Sequence, residues 1–222
     1  MKADPIPMEQ VMAAAAQDEL GALLESLPFN DANSFRRKAG RRVHRFEHGL
    51  VAPSKDVPLT LPYRTLRIYR EEVHHLQQNR KTVDYINVNW VFQREDGEVW
   101  KTMLQRRLRD ADDPLIGMYE QALATTCAEQ REEVLRRLAD GATLSFGPVD
   151  IELTHIRSGA KSAPWSSVLS IGVEAGALAV RAKPEVEHRW IKEIDIGAPL
   201  SRIPNFPLLW QLMQLIHRQA ST

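Results

Sequence analysis

Residues Thr82–Gln93 read TVDYINVNWVFQ, residues Arg94–Gly97 read REDG, and residues Glu98–Leu104 read EVWKTML. Both outer runs are rich in β-branched and aromatic residues, and an Asp-Gly pair between two such runs is the strongest local signal for a β-hairpin. The period-two alternation sets Tyr85, Asn87 and Asn89 on one face and Ile86, Val88 and Trp90 on the other, so Trp90 is expected in the core. Antiparallel sheet is therefore the first expectation for this chain.

Working outward, short β-like runs lie on the N-terminal side. Arg42–Phe46 alternates, Gly49 supplies a turn before Leu50 and Val51, a Pro- and Ser-containing loop runs from Pro53 to Pro58, and Tyr63, Leu66, Ile68 and Tyr69 suggest a further strand. Before them, Val11, Ala15, Leu20, Leu23, Leu24 and Leu27 recur at helical spacing, which predicts a helix over Met8–Leu27 ended by Pro28. Such a stripe is expected to pack against its own chain.

On the C-terminal side a long helix is expected from Pro114 to about Ala139. Asp112 and Asp113 are its cap candidates, proline suits its first turn, and Asp140-Gly141 stops it. Strands are then expected at Thr143–Phe146, Val149–Ile156, Val168–Val173, Ala177–Ala182 and Arg189–Ile196, before a last helix from Pro207 to Gln219. A set of short strands followed by one helix thus occurs twice. Pro62-Tyr63-Arg64-Thr65-Leu66 matches Pro164-Trp165-Ser166-Ser167-Val168, and Pro114-Leu115-Ile116 matches Pro207-Leu208-Leu209, in the same order. The expected class is α+β, with an N-terminal helix and linker over 1–34 and units over 35–140 and 141–222, because a small sheet must cover its apolar face and a helix does so.

The second half also resembles a known family. Phe146-Gly147-Pro148, Pro164-Trp165, Gly176–Val180 and Ile203-Pro204-Asn205 ahead of Leu208–Leu215 are similar to motifs of a bacterial family of uncharacterised proteins read as pleckstrin-homology-like. The resemblance is close over residues 140–218 and extends to 35–140 in layout. It implies tandem units, each a bent antiparallel sheet capped by a C-terminal helix, with Pro62, Tyr63, Gly147, Pro148, Pro164, Trp165, Ile203, Pro204 and Asn205 as structural motif positions. It implies no activity.

Composition narrows the function classes. Of 222 residues 43% are hydrophobic, as expected of a globular chain, and 29 basic residues balance 29 acidic ones, so no global field draws in nucleic acid or an anionic membrane. Cys127, the one cysteine, excludes an internal disulfide and a cysteine zinc site and points to a reducing compartment. The alanine run near the N-terminus is broken by Asp18 and Glu19, so neither a signal peptide nor a transmembrane segment is expected, and the location expected is cytoplasmic.

No chemical motif stands out. His44 and His48 lie on strand and turn, His74 and His75 point to opposite sides of a strand, and His155, His188 and His217 lack partners at ligand spacing, so no metal or other cofactor is expected. Cys127 sits inside a helix as a packing thiol, Glu71-Glu72, Asp112-Asp113 and Glu132-Glu133 read as solvated or helix-end charges, and the glycines are scattered singly. An enzyme is not expected, and an unrecognised one stands as the second alternative, which a deep pocket with convergent titratable side chains would favour. The expected function is a non-catalytic protein-binding module, of the immunity or adaptor kind, that recognises another protein through a sheet edge, a loop surface or the N-terminal helix. Arg36, Arg37, Lys38, Arg41, Arg42 and Arg45 supply the alternative, since basic residues on the first strands of phosphoinositide-binding pleckstrin-homology domains hold phosphates; this would make the chain a peripheral anionic-lipid or phosphate binder.

Overall fold

A computed structural model describes residues 6–29, 41–54, 57–76, 83–107, 113–184 and 193–220. The chain divides into two compact units, Met1–Glu129 and Gln130–Thr222. Among the described residues there are four open antiparallel sheets and three α-helices.

In the first unit, helix α1 (Met8–Gln17) precedes β1 (Leu23–Pro28), β2 (Arg42–Phe46), β3 (Gly49–Ala52) and β4 (Leu59–Pro62), which form a meander in the order β1-β2-β3-β4. The helix expected over Met8–Leu27 is therefore corrected. It ends at Gln17 because the backbone turns left-handed at Glu19 (φ 55°) and Gly21 (φ 78°), a region that helices do not enter. Leu27, counted in the helical stripe, lies on a strand opposite Val43 instead. What remains of the stripe does pack on its own unit: Val11, Ala15 and Leu20 bury against Phe46 and Val51.

The strand expected through Tyr63 is also interrupted. β4 ends at Pro62, the chain turns over Tyr63–Thr65, and β5 begins at Arg67. Tyr63 is buried in this turn and donates its N–H to the His48 carbonyl at 2.9 Å. Strands β5 (Arg67–Leu76), β6 (Val83–Gln93) and β7 (Val99–Arg107) form the second meander. The expected hairpin is the β6–β7 turn, where Gly97 takes φ 89° and the Asp96 carboxylate accepts the Glu98 N–H at 3.1 Å. Trp90 is fully buried, as the alternation requires.

Helix α2 runs Pro114–Ala139. Asp113 caps it by accepting the Leu115 N–H at 3.0 Å, whereas Asp112 lies outside the described residues. At its other end Gly141 adopts φ 81° and the Ala142 N–H returns to the Arg137 carbonyl at 2.9 Å, a glycine stop of the expected kind. Leu115, Ile116, Met118, Tyr119 and Ala122 bury into the core made by both sheets of the first unit. Tyr119 meets Trp90, Phe92 and Trp100 at ring-centroid distances of 5.7, 5.2 and 5.8 Å.

The second unit repeats the order. β8 (Leu144–Phe146), β9 (Val149–Ile151), β10 (His155–Ser158) and β11 (Lys161–Pro164) form a four-stranded meander, and β12 (Val168–Glu174), β13 (Ala177–Ala182) and β14 (Ile194–Pro199) form a three-stranded one before α3 (Phe206–Ala220). The single strand expected over Val149–Ile156 is two, because the chain reverses at Glu152–Thr154, with the Glu152 N–H donating to the His155 carbonyl at 2.9 Å. Hairpin β10–β11 turns at Ser158-Gly159-Ala160-Lys161, with Gly159 at φ 58°. The strand expected over Arg189–Ile196 falls partly outside the described residues; its described part begins at Ile194.

The second unit gives its motif residues definite work. Trp165 opens a short 3₁₀ turn between the two sheets, is 2% exposed, and donates Nε1–H to the Glu152 carbonyl at 2.8 Å and its N–H to that of Thr154 at 3.0 Å. Gly147, at φ 63°, lies where any Cβ would collide with the Arg202 carbonyl and come within 3.2 Å of Pro204. Phe-Gly-Pro and Ile-Pro-Asn are thus neighbours in space. Ile203 and Pro204 are buried, and Asn205 is left-handed (φ 48°), donates to Gln130 Oε1 at 2.9 Å and accepts the Leu208 N–H at 2.9 Å as α3 begins.

Candidate functional site

Of the basic cluster, Arg36, Arg37 and Lys38 lie outside the described residues, while Arg41 immediately precedes β2 and Arg42 and Arg45 lie on it. Strand alternation sends Arg42 to one face and Arg45 to the other. Arg42 donates to the Ser26 hydroxyl at 2.7 Å and the Ser26 carbonyl at 2.6 Å, and Arg45 pairs with Glu25 at 3.5 Å. Each guanidinium is thereby engaged by the neighbouring strand β1. Behind them, His44 is buried, and desolvation first, then the Arg42 charge, lower its pKa below the ordinary 6.5.

A second polar group surrounds Tyr63. Burial drives its phenol pKa upward, with Glu129 pushing the same way and Arg45 opposing, so the hydroxyl keeps its proton at neutral pH. His48 Nδ1 lies 3.0 Å from Glu129 Oε1 and ties the β2–β3 turn to α2. His48 is largely exposed and Glu129 partly so. Among the described residues, no group of three or more His, Cys, Asp and Glu is placed to hold a metal ion.

Among the described residues, the face of β5–β6–β7 turned away from the core carries a set of cross-strand polar contacts. The register sets Tyr69, Glu71, Val73 and His75 opposite Val91, Asn89, Asn87 and Tyr85, and Val91, Asn89 and Asn87 opposite Lys101, Met103 and Gln105. His75 stacks on Tyr85 with centroids 4.5 Å apart, and the Asn87 amide nitrogen lies 2.9 Å from His75 Nε2. Asn89 donates to Glu71 at 3.0 Å and the Tyr69 hydroxyl to Gln93 at 3.1 Å. These cross-strand bonds fix side chains that are half-buried or, for Glu71, exposed, so the surface is ordered before anything binds it. The alternation in β6 reveals half of this face. The β5 half is missed from sequence because Arg70–His75 is charged and carries no apolar period, although the same two-residue count from Tyr69 reaches Glu71, Val73 and His75.

These sheets and helices define an α+β protein of open antiparallel sheets, with a prearranged polar and aromatic face on its first unit. No helix among the described residues is long and apolar enough to cross a membrane. A family model described as a family of unknown function (DUF6585) matches residues 41–222, and the chain belongs to that family. Neither the curated proteins nor the solved structures contain a match to it.

Proposed function

We propose that the chain is a non-catalytic, cytoplasmic protein-binding module of two pleckstrin-homology-like units, acting as an adaptor or immunity-type protein. In support of the architecture, each unit orders its elements as four antiparallel strands, a turn with a buried aromatic after proline, three antiparallel strands and a helix. One observation carries the binding reading: the outer face of β5–β7 holds Tyr85, His75, Asn87, Asn89, Glu71 and Tyr69 in a fixed network across strands. A broad, mixed polar and aromatic surface with its rotamers already set suits a protein partner, whereas a small substrate calls for a concave site with convergent polar groups.

Affinity purification from the native host, comparing the wild-type chain with Tyr85→Glu, tests this reading. The expected result is a partner retained at a stoichiometric ratio by the wild type and lost by the variant, with both chains melting within a few degrees of each other. Recovery of the wild type alone, or equal retention by both, contradicts it.

A further inference from the structure

The two three-stranded sheets differ in how their outer strands are guarded. β5, first strand of its sheet, carries Arg70, Glu71, Glu72, His74 and His75. β12, likewise first in its sheet, reads Val168-Leu169-Ser170-Ile171-Gly172-Val173-Glu174 and has no charge before its last residue. Among the described strands β12 pairs with β13 alone, so one row of its backbone N–H and C=O groups has no strand partner among them. An uncharged edge is a template for another strand, and charged residues and bulges are the usual means of preventing that; the bulge of β12 lies at its start, between Val168 and Ser170, and leaves Ser170–Glu174 in regular register. The same position in the first unit shows that the layout tolerates such charges.

The side chains add to the template. Ile171 and Val173 lie opposite the buried Val180 and Leu178, so they carry the apolar side of the sheet out to its rim. There it is bare: Val173 is 46% exposed, Leu169, at the bulge between Val168 and Ser170, is 47% exposed, and Ile171 is half-buried.

The strand's own sequence identifies the occupant. Counted outward from Ile171 it is nearly symmetric over its central five residues: Ser170 and Gly172 are both small, and Leu169 and Val173 are both apolar. If two copies pair antiparallel with Ile171 on the twofold axis, Ile171 faces its own copy and Leu169 comes alongside Val173 of the other. Small Ser170 and Gly172 meet on the opposite side. The two Glu174 side chains stand at opposite ends of the pair, so like charges do not oppose each other. A twofold interface must be complementary to itself, and this strand meets that demand from Leu169 to Val173, with Glu174 falling at the rim beside Val168 of the other copy.

We propose that β12 is a self-association edge, through which two copies of this chain join their three-stranded sheets into one of six strands. Binding of a different protein at the first unit neither requires nor excludes this pairing. So short a ladder belongs with small, weak interfaces, which corresponds to a dissociation constant on the order of 10 μM.

Sedimentation velocity on the full chain from about 1 to about 300 μM tests it, the range being chosen to bracket that constant. The weight-average mass is expected to rise from monomer toward dimer. Val173→Lys, at an exposed position, is expected to weaken association at least about tenfold, the scale of 1.4 kcal/mol, without moving the melting temperature measured at about 1 μM, where both chains are monomers. The register is read by mild oxidation, for which the chain without an added cysteine is the control because native Cys127 is buried. Ile171→Cys is expected to cross-link to itself, whereas Leu169→Cys and Val173→Cys cross-link to each other when mixed and poorly when alone. A wild-type chain that stays monomeric throughout the range overturns the proposal. So does a dimer that Val173→Lys leaves intact or that Ile171→Cys fails to cross-link.

Discussion

Gly147 joins two motifs that are more than fifty positions apart in the sequence. A methyl group there would meet the Arg202 carbonyl, a backbone atom that cannot turn aside, and the left-handed φ of 63° adds a penalty of its own. Gly147→Ala is expected to destabilise the chain by about 2 kcal/mol or more by chemical denaturation, from strain and overpacking together. His44 makes a different prediction. Its pKa is lowered in the folded state by burial and then by Arg42, so the unfolded chain binds the proton more readily. Stability is complete above the ordinary pKa of 6.5 and falls as the pH drops below it. The melting temperature should decline between pH 7 and pH 5.5, and His44→Val should remove most of that decline; an unchanged slope in the variant would assign the effect elsewhere.

At the scale of elements, the parts that read clearly from sequence were those with local chemistry. Asp96-Gly97 marks the β6–β7 hairpin, and Gly97 fills a left-handed position (φ 89°) with open space around it. Gly97→Val is therefore expected to cost about 1–2 kcal/mol through backbone conformation alone, seen as a lower denaturation midpoint with an unchanged slope. Pro114 and Gly141 bracket α2 in the same legible way. What failed was arithmetic over ambiguous leucines. Leu23, Leu24 and Leu27 continue the helical count of Val11, Ala15 and Leu20, yet the left-handed residues Glu19 and Gly21, on either side of Leu20, decide the outcome. Glu19 is not a residue that announces such a conformation. Strands β4 and β11 escape for a related reason: each has four residues and ends on proline, so it reads as part of the turn beside it. The outer face of β5–β7 was half legible, because an alternating strand names its faces while the charged strand beside it does not.

For the whole molecule, the balance of 29 basic and 29 acidic residues leaves binding to local surfaces. In the described part of the Arg36–Arg45 cluster, Arg42 and Arg45 already serve Ser26 and Glu25. The protein-binding reading predicts that the chain does not float with vesicles rich in anionic lipid at physiological salt. Flotation that rises with anionic lipid and falls with salt would transfer the function to phosphate recognition instead.

Both the proposed module and its surfaces depend on the twofold repetition of four strands, three strands and a helix. Cross-strand nuclear Overhauser contacts on the isotope-labelled full chain test this most directly. The account predicts antiparallel contacts from Trp90 to Arg70 and Thr102, and from Val180 to Ile171 and Ile196, within two separate three-stranded sheets. Parallel contacts, or a continuous ladder running from β4 into β5 or from β11 into β12, would contradict it.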